Sequence, residues 1–247
     1  MVILEDSFLC FNTQRDFTQK TLLKFYERLR LVLLIKKKIA KPRIIFTANA
    51  HILDSHYGDS NTLDYADAFY DEKNNIVMNA SSFSLPNSRK FYKDTQQKEI
   101  FDDFNYTVPV IHINHELIHH IQFHLTPELY QITSFMEAVA DTMTHILEGR
   151  ESSRIYLKEC VGLWYMCRYM MKMELNEYYW FIATAITTDD ISKYLLHKKG
   201  IIKDAAKYHG GGIKSLMHNI KDYHSLDNNS AFWRDILKLH SIIFKSS

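Results

Sequence analysis

His115-Glu116-Leu117-Ile118-His119 decides how the rest of this chain is read. On an α-helix, residues four apart share a face, so His115 and His119 can aim two imidazoles at one metal ion. Glu116, one position round, reaches a water bound to that ion. Glu137 stands eighteen residues after His119, and Asp141 follows a turn later in Glu137-Ala138-Val139-Ala140-Asp141. Catalytic zinc takes three protein ligands and keeps a fourth position for water, and two histidines with one carboxylate is a common set. His115, His119 and Glu137 supply that set for a single Zn2+ ion. Zinc lowers the pKa of its water, so Glu116 serves as the general base that takes the proton. A liganding histidine usually donates its second ring N–H to a carboxylate, a role that falls to Asp141.

By itself a pattern with three fixed positions arises by chance in about three chains per hundred of this length. Its surroundings carry more. Val108-Pro109-Val110-Ile111 and Ile113 lead in, and Leu117, Ile118 and Ile121 repeat at three- and four-residue steps, the pattern of a buried helix from about Pro109 to Phe123. Two histidines and a glutamate buried on one helix are costly unless something pairs with them, as a metal does. Ser134 with Glu137 also fits a capping box, an alternative that leaves Asp141 without a purpose.

With these residues in place, the chain resembles the gluzincin metallopeptidases, the clan of thermolysin and the alanyl-aminopeptidases, over roughly residues 42 to 220. The resemblance implies a zincin-like metalloprotease fold of the α+β class and a zinc peptidase activity. Two further stretches agree in order. Asp71 to Asn79 reads as a polar turn leading into a short strand, where the clan has a sheet-edge strand that binds extended substrate by main-chain hydrogen bonds; this implies substrate contacts at Ile76, Val77, Met78 and Asn79. Tyr208-His209-Gly210-Gly211-Gly212 resembles the turn whose tyrosine stabilises the oxyanion in the aminopeptidase branch. That implies the role for Tyr208, with His209 as second choice because a histidine performs it in the thermolysin branch. The His119 to Glu137 spacing is one residue shorter than the usual aminopeptidase pattern. Nor does Val77-Met78-Asn79-Ala80 carry the glutamate that grips a free amino terminus, so endopeptidase action is favoured.

The remaining composition is plain. At 247 residues, with 46% apolar and 24% charged content, the chain can bury a core without staples. A net charge of +1 provides no field to steer nucleic acid, and Lys36-Lys37-Lys38 reads as a solvated helix end. Apolar runs such as Leu31 to Ile35 are far short of a membrane span. Cys10, Cys160 and Cys167 form neither an even set nor a close metal pair, and the acidic start after Met1 lacks the pattern of a signal peptide; a reducing, cytoplasmic setting follows as the expectation.

Along the chain, Asp16 to Lys38 reads as one amphipathic helix ended by Pro42, and Arg43 to Thr47 as a strand. Ala68-Phe69-Tyr70 and Ile76-Val77-Met78 bracket a polar turn as a hairpin, and Arg89 to Asp103 reads as a polar helix or flap. After the motif the pattern is helical over Glu128 to Glu148, Ser152 to Met173, Glu177 to Thr187, Ile191 to Leu196 and Ile213 to His224. This predicts a single catalytic domain: an α/β lobe over residues 1–124, with a small mixed sheet and the motif helix, and an all-α lobe over 125–247. His112, His120 and His124 read as surface or supporting groups. His145 lies two turns beyond Glu137, on the order of 12 Å away, too far to share its ion. Trp164-Tyr165, Tyr169 and Tyr178-Tyr179-Trp180 read as filling for the helical lobe.

The expected function is therefore a zinc-dependent peptidase acting on a peptide or protein, with no nucleic-acid or membrane partner; the sequence is silent on oligomeric state. The rivals are an inactive regulatory or interaction protein that keeps a structural zinc, and metal-dependent hydrolysis of something other than a peptide.

Overall fold

The computed structural model describes residues 2–4, 26–47, 68–79, 100–149, 156–191 and 213–244. The chain divides into two compact units, Met1–His120 and Ile121–Ser247. That division falls inside the motif helix, whereas the sequence reading puts the lobe boundary after residue 124.

In the first unit, β1 (Val2–Leu4), β2 (Arg43–Thr47), β3 (Ala68–Tyr70) and β4 (Asn75–Asn79) form a mixed sheet in the order β1-β2-β4-β3. β1, β2 and β4 are parallel, and β3 returns antiparallel to β4 with Phe69 opposite Val77. Ile44 and Ile45 on β2, and Ile76, Val77 and Met78 on β4, are all buried although they are consecutive. Successive strand residues face opposite sides, so both faces of these strands are covered, which is why their sequence shows a continuous apolar run without alternation. The predicted hairpin is present. Its turn is organised by Asp71, whose Oδ1 accepts from the backbone N–H groups of Lys73 and Asn75, both at 2.9 Å, while Asn75 Nδ2 donates to Oδ2. Arg43 Nε donates to Asn75 Oδ1 at 2.8 Å, tying the turn to β2.

The expected helix over Asp16 to Lys38 ends early. In its described part, α1 covers residues 26–32 and closes well before Pro42. Leu34 adopts a left-handed φ of 52°, and the Ile35 N–H reaches back to the Arg30 carbonyl at 3.0 Å. This terminating hook usually employs glycine, so a leucine there gives little warning in the sequence. Lys36 to Lys38 are exposed, but beyond the helix and not within its last turn.

The motif helix, α2 (Ile100–Leu125), starts nine residues earlier than Pro109 and runs through it. It ends where Thr126 Oγ1 donates to the Gln122 carbonyl at 2.9 Å and Pro127 opens α3 (Pro127–Tyr130). The predicted helix from Glu128 to Glu148 is thus two pieces, α3 and α4 (Thr133–Glu148), with Asp189 Oδ1 accepting from the Glu128 and Leu129 N–H groups.

The second unit is helical among its described residues. Every residue of α4 from Phe135 to Leu147 is buried except Glu137. Around it run α5 (Leu157–Tyr165), which continues into a π-helical turn at Met166–Met170, and α6 (Leu175–Thr187) with a Glu174/Glu177 capping box. α7 (Ile213–His218), two short 3-10 turns and α8 (Asn229–Phe244) follow. Gly162 lets α5 approach the Ile220–Tyr223 turn so closely that a Cβ would stand 2.0 Å from the Ile220 carbonyl oxygen. α8, not among the segments marked in the sequence, is anchored by Asp235 Oδ2, which accepts from both Trp164 Nε1 and Arg168 Nε at 3.0 Å. Of the predicted aromatic filling, Trp164, Tyr178 and Tyr179 are buried, whereas Tyr169 and Trp180 are exposed. Among the described residues, no helix is long and apolar enough to cross a membrane.

Candidate metal centre

α2 owes its orientation to Ile113, Leu117, Ile118 and Ile121, each at most 2% exposed. Burying that stripe leaves His115 half-buried and sets Glu116 and His119 just inside the surface. The four-residue spacing does what helical geometry requires: His115 Nε2 and His119 Nε2 stand 2.9 Å apart, with the rings edge to face at 82°. One of these nitrogens donates and the other accepts, so both imidazoles aim their outer nitrogens at one point.

The carboxylate comes from α4. Gln122, one turn beyond the motif, donates to the Met136 carbonyl at 3.4 Å, holding the last turns of α2 to the first turn of α4 in the residue pair next to Glu137. His115, His119 and Glu137 each offer one ligand atom, and these atoms all lie within 4.8 Å of one another. Nor is Glu137 a capping residue: α4 is capped at Ile132, with no side-chain cap bond.

The three donors fit a zinc ion. Tetrahedral zinc bound at about 2.0–2.1 Å separates two ligand nitrogens by roughly 3.3 Å, so the two imidazoles need to open by only a few tenths of an ångström. Two nitrogens and one oxygen are donors that zinc accepts, and three protein ligands leave a position for water.

Other residues implied by the sequence fare differently. The strand assigned to substrate is corrected: β4 is interior, paired with β2 on one side and β3 on the other, so the main chain of Ile76, Val77 and Met78 is engaged by neighbouring strands and their side chains are buried. Asn79 pairs with Thr47 of β2. Three adjacent apolar residues were the sign of an interior strand, since an edge strand usually alternates. Tyr208, His209 and the glycines after them lie outside the described residues. His120 is corrected from a surface or supporting group to a packing residue: fully buried, it bonds through Nε2 to the Ala40 carbonyl at 2.8 Å and meets Tyr70 edge to face. His124 is exposed.

Asp141, expected to orient a liganding histidine, is 3% exposed. It belongs to a second group with His145 and Cys160, whose ligand atoms also lie within 4.8 Å of one another. His145 is too far along α4 to share an ion with Glu137, but it meets Asp141 and Cys160 instead. The signal was there in the Asp141 to His145 spacing, which repeats the four-residue step. Cys160 lies on α5, where its thiol donates to the Ala138 carbonyl at 3.6 Å. Burial, then the charge of Asp141, pushes that thiol far above its ordinary range. Compared with known proteins, the chain matches no family model, no curated protein and no solved structure.

Proposed function

We propose that this protein is a zinc-dependent peptidase, an endopeptidase of the zincin type, with His115, His119 and Glu137 as the ligands of one ion. The observation that carries the reading is the convergence of those three donor atoms within 4.8 Å, with buried Glu116 next to His115 in the chain. Zinc, when bound, acidifies a coordinated water and polarises the substrate carbonyl. Glu116 takes the proton from the attacking water at its carboxylate and passes it to the departing amine nitrogen, as the C–O bond forms and the C–N bond breaks. Tyr208 keeps its proposed role of donating to the developing oxyanion, with His209 as the alternative. An extended peptide that pairs with the sheet has to do so at an outer strand, which among the described residues is β3 or β1 and not β4. A reducing, cytoplasmic setting fits the free thiols of Cys160 and Cys167.

The test is Glu116→Gln, assayed against an unbiased peptide library beside metal analysis of the purified protein. The variant keeps its fold and its metal while cleavage falls by roughly 100- to 10,000-fold. Cleavage by Glu116→Gln at the wild-type rate overturns the mechanism. Wild-type protein that holds zinc at His115 and His119 yet cleaves nothing overturns the activity and favours a regulatory protein with a structural ion.

A further inference from the structure

We infer that Asp141, His145 and Cys160 form a second metal site, a buried structural one for a divalent ion of the zinc type, independent of the first. All three lie in the second unit: Asp141 and His145 one turn apart on α4, and Cys160 on α5. Their ligand atoms lie within 4.8 Å of one another, and His145 and Cys160 are wholly buried.

The charges favour this occupant. A carboxylate in such a place is costly, and a thiol beside it is driven towards its neutral form. A divalent ion reverses both effects. It displaces the thiol proton to solvent, and the resulting thiolate, with the Asp141 carboxylate, supplies two negative charges against the ion's two positive ones. With a neutral imidazole as third donor the buried group is uncharged overall. Thiolate, imidazole and carboxylate together are a zinc-type donor set, and a thiolate disfavours magnesium and calcium. The imidazole is held in place by Trp233 and Phe232 of α8, edge to face at 4.7 and 6.3 Å. Asp141 has two oxygens and can occupy two of the ion's four positions. Enclosure this complete means that the ion enters as the chain folds and exchanges only when the unit opens.

Cobalt separates the two sites, because the first contains no sulfur. Protein produced in zinc-free, cobalt-supplemented medium is expected to hold two equivalents and to show a near-ultraviolet thiolate-to-cobalt band. The band persists in His115→Ala/His119→Ala, which loses one equivalent, and in Cys167→Ser; it disappears in Cys160→Ser. X-ray absorption at the cobalt edge of the wild-type protein, which needs no variant to fold, finds one sulfur for every two ions. One sulfur for a single ion leaves this site standing while the first reading fails. Folded wild-type protein with cobalt but no sulfur donor, or a band that survives Cys160→Ser, overturns the inference and leaves Asp141, His145 and Cys160 as a hydrogen-bonded core group.

Discussion

His115 Nε2 and His119 Nε2 face each other at 2.9 Å across one turn of α2. Only one proton fits between them, so the pair is arranged to share a proton or a metal ion. Replacing either histidine by alanine leaves two of three donors. Metal affinity at this centre is expected to fall by more than the roughly 10- to 100-fold that loss of an outer partner costs. Competition with a chromogenic chelator measures it, and an unchanged affinity in both variants removes these residues from the ligand set.

Two glycines carry separate predictions. Gly149 ends α4 at a φ of 65° beneath the His240 ring, where a Cβ would come within 2.6 Å of ring atoms. Gly149→Ala is expected to cost about 1–2 kcal/mol for the left-handed backbone, plus the displacement of a ring that can turn aside. Gly162→Ala meets a backbone carbonyl, which cannot, and should cost more, about 3 kcal/mol. Urea unfolding of the two variants ranks them, and the reverse order would contradict the close approach of α5 to Ile220.

Asp235 is shared. Asp235→Ala leaves Arg168 half-buried without its carboxylate and Trp164 Nε1 without its acceptor. We expect a loss of about 2–4 kcal/mol, most of it from the stranded guanidinium. A thermal melt checks this, and Arg168→Met in the same background is expected to recover part of the loss.

Alkali should unfold the protein before the backbone suffers. Burial pushes the Tyr70 and Tyr179 hydroxyls up to about 12 from 10.0, and lifts Tyr178, Cys160 and Cys167 well above their ordinary ranges. Between the unfolded and folded pKa values the unfolded chain binds fewer protons, so stability falls as pH rises. For the two tyrosines the loss begins near pH 10 and is complete above about 12, about 1–2 kcal/mol each once solvent screening is allowed for. Denaturation at stepped pH from 8 to 12 reads it, with Tyr179→Phe flattening the slope. Zinc bound to Cys160 would hold that thiol deprotonated and remove it from the effect.

What could be read from the sequence follows physical range. The His115, Glu116 and His119 pattern and the Arg43 to Thr47 strand are local, and both appear where the residues put them. Phe232, Ile236 and Leu239 are spaced for a buried helix stripe, so α8 was legible too. By contrast, polar Asp102, Asp103 and Asn105 before Pro109 hid the start of α2. The apolar run of β4 marks an interior strand, but its pairing with β2 depends on a segment arriving from elsewhere in the chain, and Gly162 is explained only by Ile220. No local pattern encodes such meetings. The second cluster is intermediate: two of its members are a local pair, and the third is supplied by packing.

α8 touches the rest of its unit through Asp235, through the aromatic edges on His145, and through His240, whose Nδ1 donates to the Ile146 carbonyl at 2.9 Å. The stretch before it, Ser225 to Asp227, is exposed. A protease that nicks there would leave two fragments still clasped together, migrating as one particle until a denaturing gel parts them. Shortening the chain at the same point would instead unroof the core that α8 covers, and such a truncation should be recovered from inclusion bodies.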